Sequence, residues 1–209
     1  MTQAEDIDTG WRGSPELWLQ AAYDALIENG IDAVKILPLA AQLKLSRTSF
    51  YWFFDNRGSL LQALRALWED RTTTPLIAAT KEYAETRTEA MFNVISCFLR
   101  EDAFDARMEH AVRSWAIQDP KMLIELQAAD KRRLDALRGM LEGWGYDAQD
   151  ADVRARTIYL VQIGYISMQT TEPLAERLAR VANYVEVYTG QKPNDREVAR
   201  FYSRFGVTP

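Results

Sequence analysis

The sequence predicts an all-α protein in two parts, an N-terminal three-helix unit built on a helix-turn-helix and a C-terminal helical bundle. Three observations carry this expectation. Residues 34–61, VKILPLAAQLKLSRTSFYWFFDNRGSLL, read as two short helices on a tight turn. From residue 75 onward, apolar residues recur at helical spacing between capping residues, and no run sustains the period-two alternation of a strand. Near the C-terminus, Leu174, Leu178, Val181, Val185 and Tyr188 alternate steps of four and three, the seam pattern of a helical bundle.

In chain order, residues 1–13 are polar and acidic with Gly10 and Gly13, and read as a flexible arm. Ser14 is an N-cap with Pro15 at the first helical position. Leu17, Trp18, Ala21, Ala22 and Ala25 then share one face until Gly30 ends the helix. A short helix is expected to open at Pro38, with Leu39, Ala40 and Leu43 turned inward, and to stop in a turn at Lys44-Leu45. The next opens at Ser46. It crowds Arg47, Thr48, Ser49 and Trp52 toward its N-terminal end and keeps Phe50, Phe53 and Phe54 as anchors. After the Asp55-Asn56 break, a fourth helix near Ser59 buries Leu60, Leu61, Leu64, Leu67 and Trp68. Thr72-Thr73-Thr74-Pro75 disfavours continuing that helix, so the expected division is 14–71, the helix-turn-helix unit with its linking helix, and 75–209, the helical domain.

In the second part, helices are expected at about 75–83, 88–100, 106–118, 120–144, 148–169, 173–188 and 195–205. They are punctuated by Asp119 before Pro120, Asp147 with Asp150, Thr171 near Pro173, and Asn194 with Glu197 as a capping box. The stripe Leu123, Leu126, Asp130, Leu134, Leu137, Leu141, Trp144 sets a carboxylate in line with leucines. A buried acid wants a partner, and Arg113 is the candidate, with Arg133 as the local alternative.

The order A-x-x-L-x-x-S-R-x-S-x-Y-x-x-F-x-N-R-x-x-L, running from Ala40 to Leu60, resembles the DNA-binding region of the tetracycline-repressor (TetR) family of regulators, over roughly residues 14–65. Three positions depart from that pattern. Lys44 stands where the family usually has a turn glycine, Phe53 replaces a frequent histidine, and Gly58 replaces a usual acid. The resemblance implies that Lys44, Arg47, Thr48, Ser49, Tyr51, Trp52 and Arg57 face DNA. Arg47 would read base edges, and Arg57 and the Tyr51 hydroxyl would hold phosphates. It also implies a homodimer through the last long helices. Helix 148–169 is apolar nearly all round, which fits either an interior helix or one that meets a second subunit; Ile163, Ile166, Leu174, Leu178, Val181 and Val185 are the expected interface.

Charge and cysteine content fit the same picture. The net charge is −5, yet from Lys35 to Arg71 six bases (Lys35, Lys44, Arg47, Arg57, Arg65, Arg71) outnumber three acids (Asp55, Glu69, Asp70), for a local +3. A basic face on an acidic protein suits site-specific binding rather than indiscriminate coating of nucleic acid. The single cysteine, Cys97, lies among Val94, Ile95 and Phe98 and reads as a buried thiol. MTQAEDID lacks a signal-peptide pattern, no apolar stretch approaches a membrane span, and the expected location is the cytoplasm.

Nothing in the pattern supports an enzyme. There is one histidine, no Cys/His cluster and no glycine-rich phosphate loop, and no cofactor is expected. Met91, Phe92, Ile95, Phe98, Met108, Trp115, Met140 and Tyr159 fall mostly on apolar helix faces, where plain core is the default reading. The family resemblance implies an effector pocket among them, with His110 and Gln162 as polar contacts and a mainly apolar ligand. The expected protein is therefore a dimeric repressor that binds a palindromic operator on double-stranded DNA and is released by a small effector. The alternative is a helical ligand-binding or scaffolding protein that does not read DNA.

Overall fold

Ser14 and Pro15 open the first helix, α1 (Pro15–Asn29), with the Ser14 hydroxyl accepting from the Leu17 amide at 3.3 Å. This computed structural model describes residues 13–208, so the arm expected over residues 1–13 lies, but for Gly13, outside the described residues. Gly30 ends α1 with φ 77°, a left-handed value that favours glycine, and a short 3₁₀ turn, Ile31–Ala33, follows. Then come α2 (Ile36–Leu43), α3 (Arg47–Phe50) and α4 (Arg57–Trp68). Helix α2 begins two residues before the expected Pro38. Proline is tolerated there because the first four N–H groups of a helix have no intrahelical acceptor.

The described residues are all helix, turn or coil. They form two compact units, one ending at Ala66 and the other beginning at Leu67, so the division falls inside α4 and earlier than the Thr72–Pro75 stretch. That stretch is no linker. Helix α4 runs straight into a π-helical turn, Glu69–Thr73, closed by the Thr74 amide on the Glu69 carbonyl, and then into α5 (Thr74–Ala79). Pro75 has no N–H to give to the turn before it, and the Arg71 carbonyl four residues earlier accepts instead from the Asp105 amide at 3.0 Å.

The second unit continues with α6 (Arg87–Leu99), α7 (Ala106–Gln118), α8 (Pro120–Gly143), α9 (Ala148–Ser167), α10 (Leu174–Thr189) and α11 (Asp195–Ser203). The caps act where the sequence puts them. Asp119 accepts from the Lys121 and Met122 amides, Asp147 from those of Gln149 and Asp150, and Asn194 with Glu197 closes a capping box. Thr171 does not cap; Pro173 occupies that place with no side-chain bond. The core gathers Met91, Phe92, Ile95 and Phe98 of α6 with Ile158 and Tyr159 of α9, Val181 and Val185 of α10, and Phe201 of α11. Phe92 stacks on Phe201 with ring centroids 4.6 Å apart. Each such side chain is worth roughly 1.5–3 kcal/mol by removal from water. No helix among the described residues is long and apolar enough to cross a membrane.

Candidate nucleic-acid interface

Trp18 and Phe50, both buried, hold the first unit together, their rings edge-on at 5.2 Å; Phe54 stacks on Phe50 at 5.4 Å. On this floor the turn between α2 and α3 is closed by the amides of Lys44 and Leu45, the latter reaching the Ala40 carbonyl at 2.9 Å. Lys44 takes φ 56° and ψ 36°, the left-handed conformation in which a side chain is strained by about 1 kcal/mol or more. Ser46 then caps α3 by accepting from the Ser49 amide at 3.2 Å.

The turn that follows presents an exposed polar and aromatic surface. Arg47 and Thr48 are exposed, Tyr51 is 45% exposed and Trp52 61%. Arg47 donates through Nη2 to the Tyr51 hydroxyl at 2.9 Å, and its guanidinium lies 5.6 Å from the Tyr51 ring centroid. The two side chains are thus held side by side as one hydrogen-bonding face, with the guanidinium's remaining N–H groups free to turn outward.

Two expected contacts are placed otherwise. Ser49 is buried, and its hydroxyl donates to the Ser46 carbonyl at 2.8 Å, so it closes the first turn of α3 instead of facing outward. Arg57 is half-buried and donates through Nε to the Val34 carbonyl at 2.6 Å and through Nη2 to the Ile31 carbonyl at 2.9 Å. The Ile31 carbonyl also accepts from the Val34 amide at 3.2 Å, whereas the Val34 carbonyl lies past the 3₁₀ turn, and Arg57 ties the two together across the unit.

Residues 19–64 match the model of the bacterial regulatory proteins of the tetR family. The matched residues are those of the helix-turn-helix unit, from α1 to α4. Among solved structures, Salmonella enterica GusR aligns with a TM-score of 0.66 at 16% identity, over 90% of this chain and 99% of that one. Mycobacterium smegmatis AmtR aligns at 0.63 and 16%, over 99% and 100%. The fatty acid degradation regulator FadR from Bacillus halodurans aligns at 0.63 and 14%, over 84% and 94%. At these identities the likeness is one of fold. No curated protein sequence matches the chain.

In the helical unit, the residues expected to line an effector pocket are mostly buried. Met91, Phe92, Ile95, Phe98 and Tyr159 belong to the packed core, with Met140 against it; Met108, Trp115 and Gln162 are buried; and His110 Nε2 lies 2.7 Å from the Gln169 amide nitrogen. Helix faces rich in Met and Phe fill an interior as readily as they line a cavity. None of them lines either of two clefts in this unit, one of 430 Å³ walled by Asp70, Arg71, Glu101, Asp102 and Asp105, the other of 590 Å³ between α5 and α6.

Between α7, α8 and α9 lies a buried polar network of balanced charge. Glu109 accepts from Arg133, from Arg113 at 2.8 Å and from the Trp68 indole at 2.7 Å. Asp130 accepts from Arg113 at 2.6 Å and from the Tyr159 hydroxyl at 2.6 Å, so the carboxylate set among leucines has the partner the sequence suggests. Burial alone would raise the Glu109 carboxyl; the charge and hydrogen bonds of Arg133, with Arg113 and Trp68 behind them, hold it below its usual value. The π turn lets consecutive Thr72 and Thr73 both accept from Arg133, at 2.8 and 3.0 Å.

The seam residues Leu178, Val181 and Val185 are also placed differently from expectation. They are buried within the protomer's own core, as Ile163 is, and Ile166 packs against it. A four-three pattern marks any helix that packs along a seam, and this seam lies inside the chain. Leu174 is exposed, and the outer faces of α9 and α10 carry Val153, Leu160 and Val187 as exposed apolar residues.

Proposed function

We propose that this chain is a regulator of the TetR family, a dimeric, effector-responsive repressor that binds a palindromic operator. The observation that carries the reading is the single exposed surface of Arg47, Thr48, Tyr51 and Trp52, presented directly after a turn pinned by Lys44 and a cap at Ser46. Arg47 meets a base edge in the major groove. Its bond to Tyr51 pre-positions both groups, which lowers the ordering cost of docking. Lys44 and the Tyr51 hydroxyl reach phosphates, and Arg57 positions the unit's own backbone.

Two copies meet through the outer faces of α9 and α10. Leu160 and Val153 lie on one stripe of α9, and beside Gly164 on the same face an added methyl would meet nothing within 4 Å, which leaves room for a partner helix to approach. A small effector held in the helical unit favours a dimer whose paired reading surfaces no longer fit both half-sites, and operator and effector weaken each other by the same factor.

Selection from a randomised duplex library tests the reading. The expected product is an inverted repeat whose half-sites are about one helical turn or a multiple of it apart. A library that returns no enriched sequence contradicts it and leaves a helical protein that does not read DNA.

A further inference from the structure

The cleft between α5 and α6 is built from two helical faces with the same spacing. On one side Pro75, Ala78, Ala79 and, in the turn beyond α5, Glu82 follow one another at steps of three, one and three; on the other, Asn93, Ser96, Cys97 and Arg100 do the same. Small side chains on the α5 side leave the gap open, and its volume of 590 Å³ is in the range of small-molecule sites.

The α6 side is chemically odd for its position. From Ala90 to Phe98 every residue of α6 is buried, and Asn93 and Ser96 are the polar ones. Asn93 is 1% exposed, and its Nδ2 donates to the Tyr83 carbonyl at 3.2 Å, which fixes which way the amide points. Its Oδ1 has no hydrogen-bond partner among the described residues. A buried acceptor left unmatched is a standing cost that an apolar residue at this position would not carry. The charges lining the cleft are uneven, with Lys81, Arg100 and Arg204 against Glu82. Arg100 is bound to Asp102 at 2.6 Å, whereas Arg204 reaches Ser96 Oγ at 3.4 Å, which brings a guanidinium to the polar face of α6.

We infer that this cleft is the effector site, and that its ligand is a small organic anion with an apolar body and a hydroxyl or N–H donor. The donor satisfies Asn93 Oδ1, the anionic end lies against Arg204 and Lys81, and the apolar body covers Ala78, Ala79 and the neutral Cys97 thiol. The inference builds on the reading of the chain as an effector-responsive regulator, and it replaces the Met and aromatic faces as the site.

The matched probes are 3-phenyllactate, which has ring, hydroxyl and carboxylate; 3-phenylpropanoate, which lacks the hydroxyl; and 3-phenylpropane-1,2-diol, which lacks the charge. Calorimetry on the full chain without DNA should show 3-phenyllactate binding at least tenfold more tightly than either. Arg204→Glu should remove that preference over the diol. Asn93→Leu should remove the preference over 3-phenylpropanoate while raising the unliganded Tm, since the unmatched acceptor is gone; a purely structural asparagine would give a lower Tm. Absence of 3-phenyllactate binding at millimolar concentration, or equal binding by wild type and both variants, overturns the assignment. Operator binding is measured separately. If it is retained while the cleft fails these tests, the regulator reading stands and only the site and ligand class fall.

Discussion

Arg133 and Glu109 form a doubly bonded ion pair with no solvent contact, Nη1 lying 2.8 Å from Oε1 and Nη2 3.0 Å from Oε2. Thr72, Thr73 and Tyr159 take the rest of the guanidinium, and Arg113 and Trp68 the rest of the carboxylate. A pair of this kind adds little over apolar residues of the same volume, but losing one partner strands a charge. Arg133→Met should therefore destabilise the protein by about 3–5 kcal/mol in denaturant unfolding, and adding Glu109→Leu should restore much of it. An Arg133→Met single variant as stable as wild type would contradict the network's role.

The same pair sets an acid limit. Glu109 is held below its ordinary 4.5, and a carboxylate whose folded value lies below its unfolded one contributes stability that is complete above the unfolded value. That contribution is lost as the pH falls through the folded value, so stability should decline as pH drops below 4.5. Glu109→Gln, less stable at neutral pH, should show a flatter acid limb; parallel acid limbs for the two proteins would place the titration elsewhere.

Lys44 occupies a left-handed turn position, so Lys44→Gly should relieve strain. The gain is about 0.5–1 kcal/mol after the glycine's greater freedom in the unfolded chain is set against it. If Lys44 also holds a phosphate, the same variant should lose operator affinity and reduce the salt slope by about one unit. A variant that is less stable would mean that the lysine stem packs usefully on the turn.

Much of the fold is legible in the sequence because its signals are local. Ser14-Pro15, Asp119-Pro120, Asp147 and Asn194 with Glu197 announce helix starts through bonds made within three residues, and the structure shows those bonds. What depends on tertiary placement is much less legible. Glu109 and Arg113 at four-residue spacing look like a solvated helix pair, yet Glu109 is fully buried. Arg57 matches a phosphate-contacting position by motif, but its donors go to Val34 and Ile31, more than twenty residues earlier. The Thr72–Pro75 stretch reads as a break by propensity; Thr72 and Thr73 are instead drawn inward by Arg133, which no local rule anticipates. Asn93 is not singled out by the sequence reading; the signal available for it is an amide set between Phe92 and Val94 in a helix whose residues are buried from Ala90 to Phe98.

The outer and inner faces of α9 and α10 should respond differently to charge. Val153→Glu with Leu160→Glu should give folded monomers in sedimentation equilibrium, because both residues are exposed in the protomer. Val181→Glu should instead unfold the helical unit, since Val181 is 3% exposed and sits in its core. Folded dimers from the double variant would move the interface to another surface.

Arg57→Ala should cost about 1–3 kcal/mol of stability by removing the bonds to the Val34 and Ile31 carbonyls, the second of which keeps only the Val34 amide, while sequence preference on DNA stays as in wild type. A change in preference without loss of stability would return Arg57 to the DNA surface.

The most direct measurement is the affinity of wild type and Arg47→Ala for a selected duplex and for single-base variants of it, followed by anisotropy across a salt series. Wild type should bind the selected duplex with a steep salt dependence and lose about 1–3 kcal/mol for a change at the base Arg47 reads. Arg47→Ala should lose that discrimination at the same position and keep it elsewhere. Equal affinity of wild type for all these duplexes, or a uniform loss in Arg47→Ala with discrimination unchanged, would contradict the assignment of this surface as the one that reads DNA.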